Sequence, residues 1–194
     1  MGACLGVEPG DSVLDLCAGS GGKTLLLGAC LRDEGHLYAY DVDSAALERL
    51  QRRAVRAGLR RSLHILRALP QELRVMRVLV DAPCSALGTL RRGPDVRWRM
   101  SPESLGAFPA LQNELLDVAA AHTAPGGCLV YATCTIRARE NEGVVRRFLA
   151  AHSEFAREPA PVPVQLRSAA GELWTLPHRS GTDGFYAAVL RRSP

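Results

Sequence analysis

No cysteine pair in this chain stands as CxxC, and no cysteine–histidine cluster has zinc-site spacing, so no structural metal is expected. No uncharged apolar run approaches the ~18–20 residues of a membrane span, which excludes a membrane-crossing helix. The opening residues MGACLGVEPGD lack a basic region followed by an apolar core, so no secretory signal is read there. Internal repeats and low-complexity tracts are missing as well. Lysine is nearly missing: Lys23 is the one lysine beside 23 arginines, an imbalance that a GC-rich coding sequence explains. Even so, that single lysine falls in the most glycine-rich loop of the chain.

What is present has the composition of a folded domain. The 194 residues are 47% apolar and 23% charged. A chain of this size buries about 70% of its unfolded surface and needs no disulfide staple. The six cysteines (4, 17, 30, 84, 128 and 134) are therefore expected to be reduced, in an intracellular protein. That means the cytoplasm, or an organelle or nucleolus in a eukaryote. The net charge of +4 permits an RNA partner without requiring one.

The pattern alternates between strand and helix. Strands are predicted at 12–17, 36–40, 63–66, 75–80 and 128–132, and helices at 23–32, 44–57, 109–123 and 137–152. The Pro-rich stretch from Glu158 to Pro163 divides a body, 1–157, from a tail, 158–194. Two tail strands, 171–176 and 184–190, suggest an antiparallel pair. Alternation of this kind gives an α/β fold with a mostly parallel sheet, read as one domain. Ligands of such sheets lie beyond the carboxyl ends of the strands.

Four constellations fall there. The loop Cys17-Ala18-Gly19-Ser20-Gly21-Gly22-Lys23 joins the first strand to a helix N-terminus, and Asp41 follows the second strand. A P-loop would need glycine where Cys17 stands, and the dinucleotide fingerprint fails at Thr24. A short Gly-rich loop with an acid roughly 20 residues on suits a nucleoside-type cofactor such as S-adenosylmethionine. A plain strand-to-helix turn is the alternative. Asp81-Ala82-Pro83-Cys84-Ser85 delivers a carboxylate, a rigid proline and a thiol to the same edge, and Thr133-Cys134-Thr135 delivers a second thiol. Either cysteine alone reads as structural; two together read as chemistry. Cys4, Cys30 and Cys128 read as structural. Finally, Arg91, Arg92, Arg97, Trp98 and Arg99 form a segment able to meet phosphates and stack on bases, or else a solvated loop. The run Arg52, Arg53, Arg56, Arg60 and Arg61 reads as a solvated helix face.

DLCAGSGGKT, DAPCSALGTLRRGPDVRW, ATCTIRARENEGVV and GTDGFYAAVL, in that order, resemble the motifs of RNA cytosine-5 methyltransferases of the Sun/Nop type, a family that includes the bacterial 16S rRNA enzyme. The resemblance covers about Val7 to Leu190. It implies a Rossmann-like S-adenosylmethionine-dependent methyltransferase fold, with a mostly parallel seven-stranded sheet and an antiparallel C-terminal strand pair. It implies Cys134 as nucleophile at cytosine C6, Cys84 as the thiol assisting product release, and Asp81 on the cytosine edge. Cys17 through Lys23, Asp41 and Asp81 would bind the cofactor; Arg91, Arg92, Arg97 and Trp98 would bind RNA, either rRNA or tRNA. The sequence departs from the family at Gly19-Ser20, where Ala-Pro is usual, and after the third strand, where an acid is missing and Glu72 is nearest. The short lead before the first motif suggests a missing N-terminal RNA-binding segment or a larger ribonucleoprotein assembly. Two other readings stay open: a catalytically degenerate relative acting as an RNA-binding or ribosome-assembly factor, and a methyltransferase for a small molecule or protein.

Overall fold

A computed structural model describes residues 2–59 and 61–194, so Arg60 of the basic run lies outside the described residues, as does the Arg99 side chain. The first half winds β1 (Ser12–Asp15), α1 (Gly22–Leu31), β2 (His36–Tyr40), α2 (Ser44–Arg56), β3 (Leu63–Leu66) and β4 (Val75–Asp81). The second half adds α3 (Val96–Arg99), α4 (Pro102–His122), β5 (Thr123–Thr133), α5 (Glu142–Ala151), β6 (Phe155–Glu158), β7 (Leu173–Thr175), α6 (Pro177–Ser180) and β8 (Phe185–Arg192). The sheet order is β3-β2-β1-β4-β5-β8-β6, with β7 also on β8. The first five are parallel, and β8 runs antiparallel to β5, β6 and β7.

Among the described residues the sheet thus has eight strands rather than the expected seven, because the sequence reading missed β6. β6 pairs with Val189–Arg192 and β7 with Phe185–Ala187, so the two share one edge of β8 and fill seven sheet positions. The expected tail pair is β7 and β8. Side chains alternate across the pleat: Leu14, Val78, Leu129 and Tyr131 pack with Leu116 and Phe148 of α4 and α5. Val13, Leu37, Leu79 and Val130 pack with Leu27 and Leu31 of α1 on the other face.

Three element starts differ from the sequence reading by five residues or more, each for a local reason. α4 begins seven residues before Pro109, with Pro102 at its first turn and a reciprocal cap between Ser101 and Ser104. Pro109 then lies inside the helix, where it cannot bond the Leu105 carbonyl. The Arg137 guanidinium donates to that carbonyl instead, at 3.0 Å. α5 begins at Glu142 rather than Arg137, because the Asn141 amide is used on β5 and its loop: it accepts from the Thr133 hydroxyl at 2.6 Å and donates to the Thr135 carbonyl at 3.0 Å. β5 begins at Thr123, with a register shift between Val75 and Arg77 absorbing the Pro-Gly-Gly.

Candidate active site

The carboxyl ends of β1, β2, β4 and β5 meet at one edge. After β1 the chain turns through Gly19 and Gly21 before entering α1. Gly21 has φ +89, and a Cβ there would stand 2.3 Å from Leu50 Cδ1, so α2 packs where only glycine fits. Arg53 of the same helix donates to the Ser20 carbonyl at 2.6 Å. Asp41 holds the loop from the other side: one carboxylate oxygen accepts from the Gly19 N–H at 2.7 Å, the other from the Asp43 N–H at 2.8 Å. Asp43 in turn caps α2, accepting from the Ala46 N–H. Beside Asp41 opens a cavity of about 670 Å³ whose apolar walls include Val42, Leu47 and Ile65. Its polar rim is Glu48, Gln51, Arg52 and Arg67; Glu72, the acid nearest to the position where the family's acid is missing, is not among its lining residues. The outward polar face of α2, directly after Asp43, was the signal that could have found Glu48 and Gln51.

Lys23, at the start of α1, is hydrogen-bonded to Asp81 at the end of β4, and the pair is part-buried. The lone lysine is thereby the cation that joins the Gly-rich loop to the β4 edge. Asp15, behind them, is fully buried; its Oδ2 accepts from the Thr24 hydroxyl at 2.7 Å, and its Oδ1 has no hydrogen-bond partner. The sequence reading gives it no role, inside a strand predicted to run to Cys17. Burial, with Asp15, Asp41 and Asp81 nearby, pushes the Cys17 thiol well up, so this loop cysteine stays protonated.

The two thiols come together, with Cys84 Sγ and Cys134 Sγ 3.4 Å apart. Their shared hydrogen bond raises the Cys84 thiol, with burial adding to it. The same bond, helped by the Lys23 charge, holds Cys134 below the usual thiol range against burial and Asp81.

A buried polar cluster fixes this spacing. The fully buried Glu140 accepts from the Ser85 N–H at 2.8 Å, from the Gln112 amide at 3.3 Å and from Arg137 at 2.8 Å. Ser85 and Thr135, the residues that follow the two cysteines, share a hydroxyl hydrogen bond of 2.7 Å. Gly88 donates to the Cys134 carbonyl at 3.0 Å and accepts from the Gly184 N–H at 2.8 Å. A Cβ on Gly88 would stand 2.0 Å from the Gly184 carbonyl, so three loops touch backbone to backbone here. Sequence reasoning missed Glu140, Gln112, Gly88 and Gly184, since nothing local marks them.

The arginine segment divides into two kinds. Arg92 pairs with the buried Asp183 at 2.8 Å and Arg91 lies 3.9 Å from it, tying this loop to the tail. Trp98 is 79% exposed, and the Arg97 guanidinium lies 4.7 Å from its ring centre. Cys4 and Cys128 are buried, as structural cysteines should be, whereas Cys30, also read as structural, is exposed on α1. Among the described residues no group of three or more metal-ligating side chains occurs, and no helix is long and apolar enough to cross a membrane.

Residues 3–191 match a family model described as 16S rRNA methyltransferase RsmB/F. The chain is 42% identical over 191 residues to ribosomal RNA small subunit methyltransferase B of Thermus thermophilus, covering 97% of this chain and 46% of that protein. It thus spans about half the length of the curated relatives it matches. Among solved structures, a methyltransferase homolog from Pyrococcus horikoshii is 26% identical at a TM-score of 0.82, covering 98% of this chain and 64% of that one. NSun6 from the same organism, solved with SFG, shares the fold at a TM-score of 0.87 and 24% identity, covering 100% of this chain and 50% of that one.

Proposed function

We propose that this chain, which belongs to the 16S rRNA methyltransferase RsmB/F family, carries the site that methylates C5 of a cytosine in RNA with S-adenosylmethionine as donor. The observation that carries the reading is the thiol pair, 3.4 Å apart beside the Lys23–Asp81 ion pair. Methyl transfer to oxygen, nitrogen or a small molecule needs no cysteine nucleophile, whereas C5 of cytosine is unreactive until a nucleophile adds at C6.

The residues fit the donor. Gly19 and Gly22 border open space and let the loop approach it closely, the cleft walls of Val42, Leu47 and Ile65 suit a flat base, and the Asp41 carboxylate suits a ribose diol. Cys17 to Gly22 and Lys23 would line its methionine end. When bound, S-adenosylmethionine supplies the electrophilic methyl group that an activated C5 takes. Cys134, as thiolate, adds to C6 and makes C5 enamine-like. Asp81 accepts from the amino edge of the base and supports charge in the adduct, while Lys23 holds that carboxylate in place. Cys84 remains a protonated thiol beside the Cys134 sulfur; as water takes the C5 proton and the C5–C6 double bond re-forms, its S–H stabilises the departing Cys134 thiolate. The base must leave its stack to reach this edge. Arg97 and Trp98, exposed on α3, are the stacking and phosphate contacts of that RNA.

Two measurements test the reading. Calorimetric titration with S-adenosylmethionine is expected to show binding that Asp41→Ala abolishes. With labelled donor and bulk rRNA, Cys134→Ser is expected to lose methyl transfer, and Cys84→Ala to accumulate an RNA–protein adduct on denaturing gels. Turnover by Cys134→Ser, or no adduct from Cys84→Ala while the wild type turns over, would remove these role assignments.

A further inference from the structure

The Cys84 and Cys134 sulfurs are 3.4 Å apart, and neither thiol is sealed from solvent. A disulfide needs its sulfurs about 2.05 Å apart. The remaining gap is a small side-chain rotation, because the loops are already held together. Ser85 is fixed by Glu140 and Thr135, and the Cys134 carbonyl by the Gly88 N–H. We propose that Cys84 and Cys134 are an oxidisable dithiol, a modification site at which a peroxide converts the pair into an intramolecular disulfide. The functional consequence rests on the reading above; formation of the bond does not.

The chemistry balances with hydrogen peroxide as the oxidant. The Cys134 thiolate attacks one peroxide oxygen, the O–O bond breaks, and Cys134 becomes a sulfenic acid while hydroxide leaves. Cys84 then attacks the sulfenic sulfur, the S–S bond forms, the S–O bond breaks, and the oxygen departs as water with the Cys84 proton. Two thiols and one peroxide give one disulfide and two waters. The residues suit each step. Cys134 is the thiol held below its usual range, so it presents the thiolate on which peroxides act. Cys84 is in contact to resolve the sulfenic acid before further oxidation. The other cysteines lack this combination: Cys4 and Cys128 are buried, burial and nearby acids keep Cys17 protonated, and Cys30, though exposed, stands at the far end of α1 from this edge. Oxidation would remove the nucleophile and its partner thiol together, and a reductant would restore both.

The test needs no RNA. The reduced chain is treated with hydrogen peroxide and read by intact mass and by a non-reducing digest. Expected are the loss of two hydrogens, a linked peptide pair carrying Cys84 and Cys134, and full reversal by dithiothreitol. Cys84→Ser is expected to stop at the sulfenic acid and to take a dimedone label on Cys134. Unlinked thiols that remain open to alkylation would overturn the proposal, as would passage of wild-type Cys134 to sulfinic acid without linkage. If no link forms while the reduced protein methylates RNA, this inference alone falls. If the link forms in a protein whose reduced form never methylates RNA, the functional reading falls and the dithiol stands.

Discussion

Asp15 has no solvent exposure, and one of its oxygens meets no donor. Burial first, with Asp81 and Asp41 adding to it against the Thr24 hydroxyl and the Lys23 charge, pushes its pKa from 3.8 to about 7. An acid whose pKa is raised on folding holds its proton more tightly in the folded state. Folding stability therefore falls as pH rises from about 4 to about 7, by up to roughly 1.4 kcal/mol per unit, and is flat in this group above that. Thermal melts of wild type and Asp15→Asn at a series of pH values check this. The wild-type midpoint should decline relative to the variant through that window and run parallel to it above. An opposite slope would mean that Asp15 folds as a stabilised carboxylate.

At the scale of elements, the two thiol loops are joined, beyond the β4–β5 pairing, by one buried carboxylate. Glu140→Ala would leave the Ser85 N–H without its acceptor and take one of two acceptors from the Gln112 amide and from the Arg137 guanidinium. A buried donor left without an acceptor costs about 1–3 kcal/mol, so urea unfolding should show a clear loss of stability. The arginine segment offers a contrast between its two halves. Arg92 ties the loop after β4 to Asp183 in the tail, so Arg92→Ala should lower the melting midpoint. Arg97 is exposed over its neighbour's ring face, so Arg97→Ala should leave the midpoint unchanged. In filter binding the Arg97 variant should weaken RNA affinity evenly across sequences and reduce the salt slope by roughly one.

Across the whole molecule, the tail is part of the sheet. β8 lies between β5 and the shared edge of β6 and β7, and its residues from Tyr186 to Leu190 are buried. A chain cut after residue 158 would expose the β5 edge and lose the partners of Leu129 and Tyr131. It is expected to lack a cooperative thermal transition in circular dichroism, whereas the full chain has one. The expected division into body and tail therefore describes the order of the chain, with the Pro-rich linker leading back to a central strand.

The sequence by itself determined the parallel half of the sheet, because buried strands there read as continuous apolar runs and each helix carries its own stop and start signals. It also placed Asp41, Asp81, Cys84 and Cys134 on one edge, since βαβ winding puts every strand end on the same side. Only the tertiary structure decided which side chains meet. Periodicity could not show that Arg137 takes the carbonyl which Pro109 leaves vacant, so the start of α4 was misplaced. Nor could it show that Glu140 bridges loops 55 residues apart, or that Arg92 serves Asp183. β6, four residues with weak alternation, becomes a strand because β8 offers it an open edge. Local propensity acts over neighbouring residues, whereas the spacing of the thiols is set by hydrogen bonds between segments that are distant in sequence.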